Sequence, residues 1–244
     1  MLAGLPDNKV SLAGTILSFV FFLLVMPRWA EQRWSAQPAW CALGIQNQGS
    51  SRYPSWWAGL LKGLLLATGL LGLIVAIILA GRWGQWAGIM NSKDLINSLL
   101  LFFGVGCAEE IIFRGWLWNE LNFLLKPRNG LLIQAMIFSL VHTRFNLGPT
   151  STLGLLIGLF LLGVVLAELR HRNNGSLWPS IGLHGGLVSI WFLLDKGLVN
   201  FSSETPAWLI GPGGENPNPI GGIAGWALLS TLLIAESCQR KAVR

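Results

Sequence analysis

The stretch DLINSLLLFFGVGCAEEIIFRGWLWNE, from Asp94 to Glu120, is long and apolar enough to cross a membrane. Its middle nevertheless carries Glu109, Glu110 and Arg114. A charged side chain at the centre of a spanning helix costs about 2.5–3.5 kcal/mol on insertion scales, and such residues usually face the bundle interior and mark a functional site. The stretch therefore predicts a spanning helix with a polar, functional centre.

Helical spacing separates the two glutamates of this stretch. Glu110 and Arg114 are four residues apart, so they share one helix face and can form an ion pair. Glu109 points about 100° away from Glu110. The pair alone is equally well explained as a structural contact between helices. Glu109 beside it is a second buried charge with no local partner, which favours a chemical role.

The composition predicts a membrane protein. The chain of 244 residues is 52% hydrophobic and 11% charged, whereas soluble domains carry roughly 25% charged residues. The formal charge of +6 is explained by topology signals at the ends of spans, so no nucleic-acid partner is expected. The 3 cysteines are far apart in the sequence and are expected to be free thiols.

Apolar segments divided by polar breaks predict an all-α fold, a polytopic transmembrane bundle of about seven spans with a catalytic core of four helices. The predicted spans are residues 10–26, 57–80, 94–120, 131–146, 152–169, 176–195 and 221–235. Residues 1–94 would hold two N-terminal spans, and residues 95–195 the core. Residues 196–244 would hold a Gly/Pro/Asn-rich loop, the last span and a basic tail.

The basic residues predict the orientation. With seven spans, one side of the membrane has Lys9, Arg82, Lys93, Arg144 and Lys196. The other side has Arg28, Arg33, Arg52, Lys126, Arg128, Arg170, Arg172, Arg240, Lys241 and Arg244. Because the more basic side usually faces the cytoplasm, the C-terminus is predicted to be cytoplasmic.

Three polar residues are predicted to meet near the middle of the membrane. Glu109, His142 and His184 lie on three different spans at similar depths, whereas His171 falls in a charged cluster at the interface. Taken singly, a histidine in an apolar helix is usually a hydrogen-bonded packing residue. A carboxylate removed from water is a stronger base, so the combination predicts activation of a water molecule. Alternatively, the same three side chains could hold a metal that generates hydroxide.

Three motifs on consecutive segments resemble a known family. EEIIFR spans Glu109–Arg114, FSLVH spans Phe138–His142, and NGSLWPSIGLH ends at His184. Over about residues 95–195 they resemble the motifs of the CAAX protease and bacteriocin-processing enzymes, also called the Abi family of intramembrane proteases.

The resemblance implies a role for each matching residue. Glu109 would be the base that activates water, with His142 assisting it, and His184 would stabilise the oxyanion. Structural support would come from Glu110, Arg114 and Phe138. The cofactor is left open: none, or a divalent metal such as zinc held by Glu109, His142 and His184.

One position departs from the family pattern. Val188 stands four residues after His184, where the family places Asn or Asp. Ser189 follows, but it lies about 100° further round the helix. Because losing one oxyanion donor costs about 10²–10³-fold in turnover, a non-catalytic protein of the same fold is an alternative.

The preferred function is an intramembrane endopeptidase that hydrolyses a peptide bond of a membrane-associated protein or peptide, prenylated or not. Its predicted partners are membrane lipid and that substrate. The first alternative is a non-catalytic scaffold or chaperone of the same fold, supported by Val188. A proton or ion transporter is a weaker alternative, because the chain has no internal repeat.

Overall fold

The computed structural model describes residues 7–46, 55–213 and 217–242. Helices dominate these residues: α1 Asp7–Trp34, α2 Ala39–Ala42, α3 Trp56–Ala80, α4 Ser92–Glu110, α5 Trp118–Leu124, α6 Pro127–His142, α7 Pro149–Arg172, α8 Trp178–Leu193, α9 Ala207–Ile210 and α10 Ile223–Ala242. The other elements are two π-helical segments, Ile111–Leu117 and Leu194–Leu198, and a 3₁₀ turn, Pro219–Gly221. There are also two short strands among the described residues, β1 Gly84–Trp86 and β2 Val199–Phe201. The predicted all-α class is confirmed.

Three helical stretches of the described chain are long and apolar enough to span a membrane: Trp56–Ala80, Ser92–Leu124 and Pro149–Arg172. The second contains the predicted span at residues 94–120, and Asn91 caps it by accepting a hydrogen bond from the Asp94 amide at 2.8 Å. Helices α6 and α8 have 16 residues each, about 24 Å of helix. The predicted number of seven spans is not confirmed and stays a prediction.

Helix α8 lies at the centre of the bundle and packs against α3 and α4. Glycines make this close approach possible, as is usual between helices in lipid. A Cβ atom added to Gly106 of α4 would lie 2.9 Å from the Cα of Gly185 on α8. One added to Gly186 would lie 2.7 Å from the Cβ of Ala67 on α3. The backbone of α8 is thereby held beside the two glutamates of α4.

Helix α1 is attached to the rest of the chain mainly near its C-terminal end. Arg33 and Trp34 both donate hydrogen bonds of 2.9 Å to the carboxylate of Glu120 on α5. The ring of Trp116 packs edge-on against Trp29, with 6.5 Å between the ring centroids. An apolar groove lies between α1 and α4, and its lining on α1 runs from Gly14 to Trp29.

The region after α8 differs from the predicted loop over residues 196–220. Its described part contains β2, α9 and the 3₁₀ turn, and β2 pairs antiparallel with β1, with Gly84 opposite Phe201. Leu209 and Ile220 are buried in the hydrophobic core. The glycines and prolines were read as chain breakers, but the apolar residues between them pack against α3 and α7.

Candidate active site

The two glutamates stand where α4 changes its helical geometry. Glu109 and Glu110 are the last residues of α4, and the π-helical segment Ile111–Leu117 follows directly. The amide of Trp118 donates to the carbonyl of Phe113, five residues back, as π-helices do. Short π segments inside α-helices are frequent at functional sites. Sequence reasoning predicted an uninterrupted α-helix here and missed this change.

The predicted ion pair between Glu110 and Arg114 is present and buried. Arg114 Nη1 lies 2.8 Å from Glu110 Oε1, and both side chains are 0% exposed. The ring of Phe138 covers the guanidinium, with 4.1 Å between the ring centroid and Arg114 Cζ. A cation over an aromatic face is attracted by the ring electrons. Phe138 of the FSLVH motif therefore stabilises the buried charge of Arg114 in the EEIIFR motif.

Glu109 points away from this pair and meets both predicted histidines. Its Oε2 lies 2.9 Å from Nε2 of His142 and 3.6 Å from Nε2 of His184. Glu109 and His142 are partly exposed, with 24% and 27% of their side chains accessible, whereas His184 is 5% exposed. The structure thus brings together the three side chains that the sequence placed on different spans.

His184 also contacts the second glutamate. Its Nδ1 lies 2.9 Å from Oε1 of Glu110, so the imidazole stands between the carboxylates of Glu109 and Glu110. A carboxylate that is paired with an arginine accepts hydrogen bonds and donates none. His184 therefore donates from Nδ1 to Glu110 and turns Nε2 towards Glu109. The sequence did not reveal this link, because Glu110 and His184 are on different helices.

The contacts of His142 determine where its protons lie. Its Nδ1 is 2.8 Å from the carbonyl oxygen of Phe138, which can only accept, so Nδ1 carries hydrogen. A neutral imidazole would then present a lone pair at Nε2 to the lone pairs of Glu109 at 2.9 Å. The contact is attractive if a proton or a bound cation lies between Glu109 and His142.

Two cavities meet at Glu109. One has a volume of about 400 Å³, is lined by apolar side chains such as Leu159 and Leu187, and contains all three of Glu109, His142 and His184. The other is a groove of about 1370 Å³ between α1 and α4, and Glu109 lines it as well. Glu109 thus lines two different surfaces of the bundle.

Val188 lines the smaller cavity, in the position that the family pattern gives to an amide or carboxylate side chain. Ser189 does not replace it. Its hydroxyl lies 3.4 Å from the carbonyl oxygen of Gly186, and it is not among the residues that line the cavity. The polar rim of this cavity comes instead from Arg144, Asp195, Lys196 and Asn218.

The same contacts bear on the metal alternative. Among the described residues, no group of three or more His, Cys, Asp and Glu side chains is arranged to hold a metal ion. Both histidines direct Nε2 at one oxygen of Glu109, and Nδ1 of each already has an acceptor. An acceptor at Nδ1 is also what metal-ligating histidines have, so a metal held by Glu109, His142 and His184 stays a prediction.

Two supporting residues were missed by sequence reasoning. Arg170 was counted only among the basic residues that predict orientation, but the structure buries it, and it donates to the carbonyl oxygen of Arg114. Asn119 donates at 2.8 Å to the carbonyl oxygens of Ala42 and Gly115. Their hydrogen bonds go to carbonyl oxygens, which every residue has, so the sequence alone does not indicate these contacts.

Comparisons with known proteins cover two parts of the chain. Residues 1–38 match the model of a domain of unknown function, DUF8676. No curated protein and no solved structure matched the chain. Residues 91–190 match the model of a family described as type II CAAX prenyl endopeptidase Rce1-like. This segment contains Glu109, His142 and His184, and its match agrees with the family resemblance that the three motifs predict.

Proposed function

We propose that this chain is an integral membrane endopeptidase that hydrolyses a peptide bond of a membrane-associated protein or peptide, with water activated by Glu109. The observation that carries the proposal is the position of the Glu109 carboxylate. It lies beside His142 and His184 and lines both an apolar groove and a cavity with a polar rim. A base in that place meets both the substrate and its water.

The shared proton supplies the acid–base chemistry. When it resides on Nε2 of His142, Glu109 is an ionised carboxylate and can act as the base. Glu109 removes a proton from water as the water oxygen attacks the carbonyl carbon of the substrate. The leaving amine then takes up a proton from the Glu109–His142 pair as the C–N bond breaks, so that protons balance over the cycle.

His184 faces the negative charge that develops on the substrate oxygen. Glu110 accepts from Nδ1 of this ring at 2.9 Å, which holds its orientation. A protonated His184 can donate from Nε2 to the oxyanion. Such preorganised donors are worth about 10²–10³ in turnover. Glu110 and Arg114 thereby contribute to the stabilisation of the oxyanion through His184, without contacting the substrate.

The two cavities suit an amphiphilic substrate. The groove between α1 and α4 is walled by residues such as Phe19, Phe22 and Leu100, and it accepts an apolar anchor, whether a hydrocarbon chain or an apolar peptide. The smaller cavity carries Arg144, Asp195 and Lys196 at its rim and accepts the peptide beyond the scissile bond. The reacting bond would lie at Glu109, where the two meet.

The test is hydrolysis by the purified protein in lipid nanodiscs. Quenched fluorescent peptides with a prenyl, acyl or apolar peptide anchor are incubated in water enriched in ¹⁸O, and the products are identified by mass spectrometry. We expect one peptide class to be cut, with ¹⁸O in the new carboxyl group. Glu109→Gln should show no cleavage.

Glu168→Gln is the matched control. Glu168 is 28% exposed, close to the 24% of Glu109, but it pairs with Arg172 and lines neither cavity. This variant should keep full activity. Cleavage by Glu109→Gln at the wild-type rate would contradict the mechanism. An equal loss of activity in both glutamate variants would show that the loss is not specific to Glu109.

A non-catalytic scaffold is the second candidate, and Val188 favours it. An apolar side chain lines the cavity where the family pattern has an oxyanion donor. If neither the wild type nor Val188→Asn cuts any peptide, while both bind the anchored peptides in nanodiscs, the scaffold function replaces the peptidase.

A further inference from the structure

We propose that Arg170, assisted by Asn119, is a positioning residue that orients His184 through the backbone of Arg114. The catalytic consequence rests on the function proposed above, but the positioning itself can be measured on the protein without any substrate. The inference uses contacts that lie outside the three motifs.

Arg170 is buried in the last turn of α7, and its guanidinium donates hydrogen bonds to backbone oxygens. Nη1 donates to the carbonyl of Arg114, Nη2 to that of Ala42 at 2.8 Å, and Nε to that of Gly175 at 3.1 Å. The planar fork of arginine allows one side chain to reach three acceptors on three segments. A residue that merely closed its own helix would have needed only the Gly175 contact.

A chain of direct contacts leads from Arg170 to the reacting groups. Its acceptor, the carbonyl of Arg114, lies in the π-helical segment, where hydrogen bonding has shifted from the α pattern. The Arg114 side chain holds Glu110 at 2.8 Å, and the same Glu110 oxygen meets Nδ1 of His184 at 2.9 Å. A shift of the Arg114 backbone would therefore move Glu110 and turn the ring of His184.

Asn119 holds the same segment through a second carbonyl oxygen. Its amide donates at 2.8 Å to the carbonyl of Gly115, inside the π-helical segment, and at 2.8 Å to that of Ala42. Ala42 thus accepts from both Asn119 and Arg170. This residue belongs to the connector between α1 and α3, outside the segment that matches the endopeptidase family. The connector is consequently part of the support of the site.

The experiment compares Arg170→Lys with the wild type. Lysine keeps the positive charge, but its three donors sit on one atom and cannot serve three separate carbonyls. The protein is labelled with ¹⁵N-histidine in nanodiscs, and the His184 signals are assigned by their loss in His184→Gln. We expect the Nδ1 resonance of His184 to move in Arg170→Lys, because its contact with Glu110 changes.

Arg172→Lys is the matched control, since Arg172 is on the same helix and contacts Glu168 instead of the site. The His184 resonance should stay in place in this variant. If cleavage is found, Arg170→Lys should lower kcat by about 10- to 100-fold, by analogy with the outer partners that orient metal-ligating histidines, with KM unchanged. A purely structural role would lower the melting temperature alone.

An unchanged His184 resonance in folded Arg170→Lys overturns the proposal. If Arg170→Lys does not fold, Asn119→Ser is measured instead, and it should move the same resonance by a smaller amount, because Arg170 remains. No movement in folded Asn119→Ser would then overturn it. A wild type that cuts no peptide refutes the proposed function but leaves the resonance test of Arg170 intact.

Discussion

Oε1 of Glu110 lies 2.9 Å from Nδ1 of His184 and 2.8 Å from Nη1 of Arg114, so one carboxylate oxygen joins two motifs. The oxygen is fully buried, and both neighbours are nitrogen donors. The first motif therefore does more than stabilise its own helix. It also sets which nitrogen of His184 faces Glu109, and that orientation is the basis of several predictions.

Glu109 and His142 are expected to act as one unit because Oε2 of Glu109 lies 2.9 Å from Nε2 of His142. Glu109→Gln keeps the shape of the side chain and removes the base, so activity should be lost. Combining it with His142→Ala should cause little further loss, since effects of residues that act together are not additive. Rates of all three variants on one cleaved peptide measure this. Losses that multiply would show that the two residues act independently.

Arg114→Ala is expected to destabilise the fold, because it leaves the charge of Glu110 buried without its arginine. Breaking a buried pair in this way costs about 3–5 kcal/mol. Arg33→Ala is the matched control, since it breaks the pair of Arg33 with Glu120, in which the arginine side chain is 41% exposed. Thermal unfolding in detergent should show a large fall in melting temperature for Arg114→Ala and a small fall for Arg33→Ala. Equal falls would contradict the buried pair.

The two histidines should differ in what they contribute to stability. His184→Ala removes a buried ring and a hydrogen bond to a charged group, a contact worth about 1.5–3 kcal/mol. His142→Ala removes a side chain that is 27% exposed, and should cost less. Melting temperatures of the two variants give the comparison directly. A larger fall for His142→Ala would mean that His184 is not held as described.

Val188→Asn is expected to raise turnover if the peptidase function is right. Val188 lines the cavity one helical turn after His184, so an amide there would add a donor near the substrate oxygen. A gain of up to about 10²-fold is expected from such a donor. Steady-state rates of the variant and the wild type measure the gain. Val188→Ala serves as the control, because it opens space without adding a donor, and an equal gain there would point to access instead.

The orientation of the chain remains a prediction from its basic residues. A reporter that is active only in the cytoplasm, fused after Arg244, should be active. The same reporter placed at the N-terminus should be inactive if the predicted odd number of spans is right. Activity of both fusions would require an even number of spans.

The sequence by itself determined the class of fold and the residues of the candidate site. Apolar length and low charge are properties of composition, so they predict helices in a membrane without knowledge of packing. The i, i+4 spacing of Glu110 and Arg114 is local to one helix and gave the ion pair. Rare polar residues in apolar helices identified Glu109, His142 and His184 as a set.

Only the tertiary structure decided how that set is held together. The contact of His184 with Glu110 joins helices whose relative rotation depends on glycine packing across α3, α4 and α8. Arg170 looked like one more interfacial charge, because its acceptors are carbonyl oxygens that every residue has. The π-helical segment likewise depends on its neighbours, since a one-residue change in hydrogen bonding is stabilised by packing and not by local propensity.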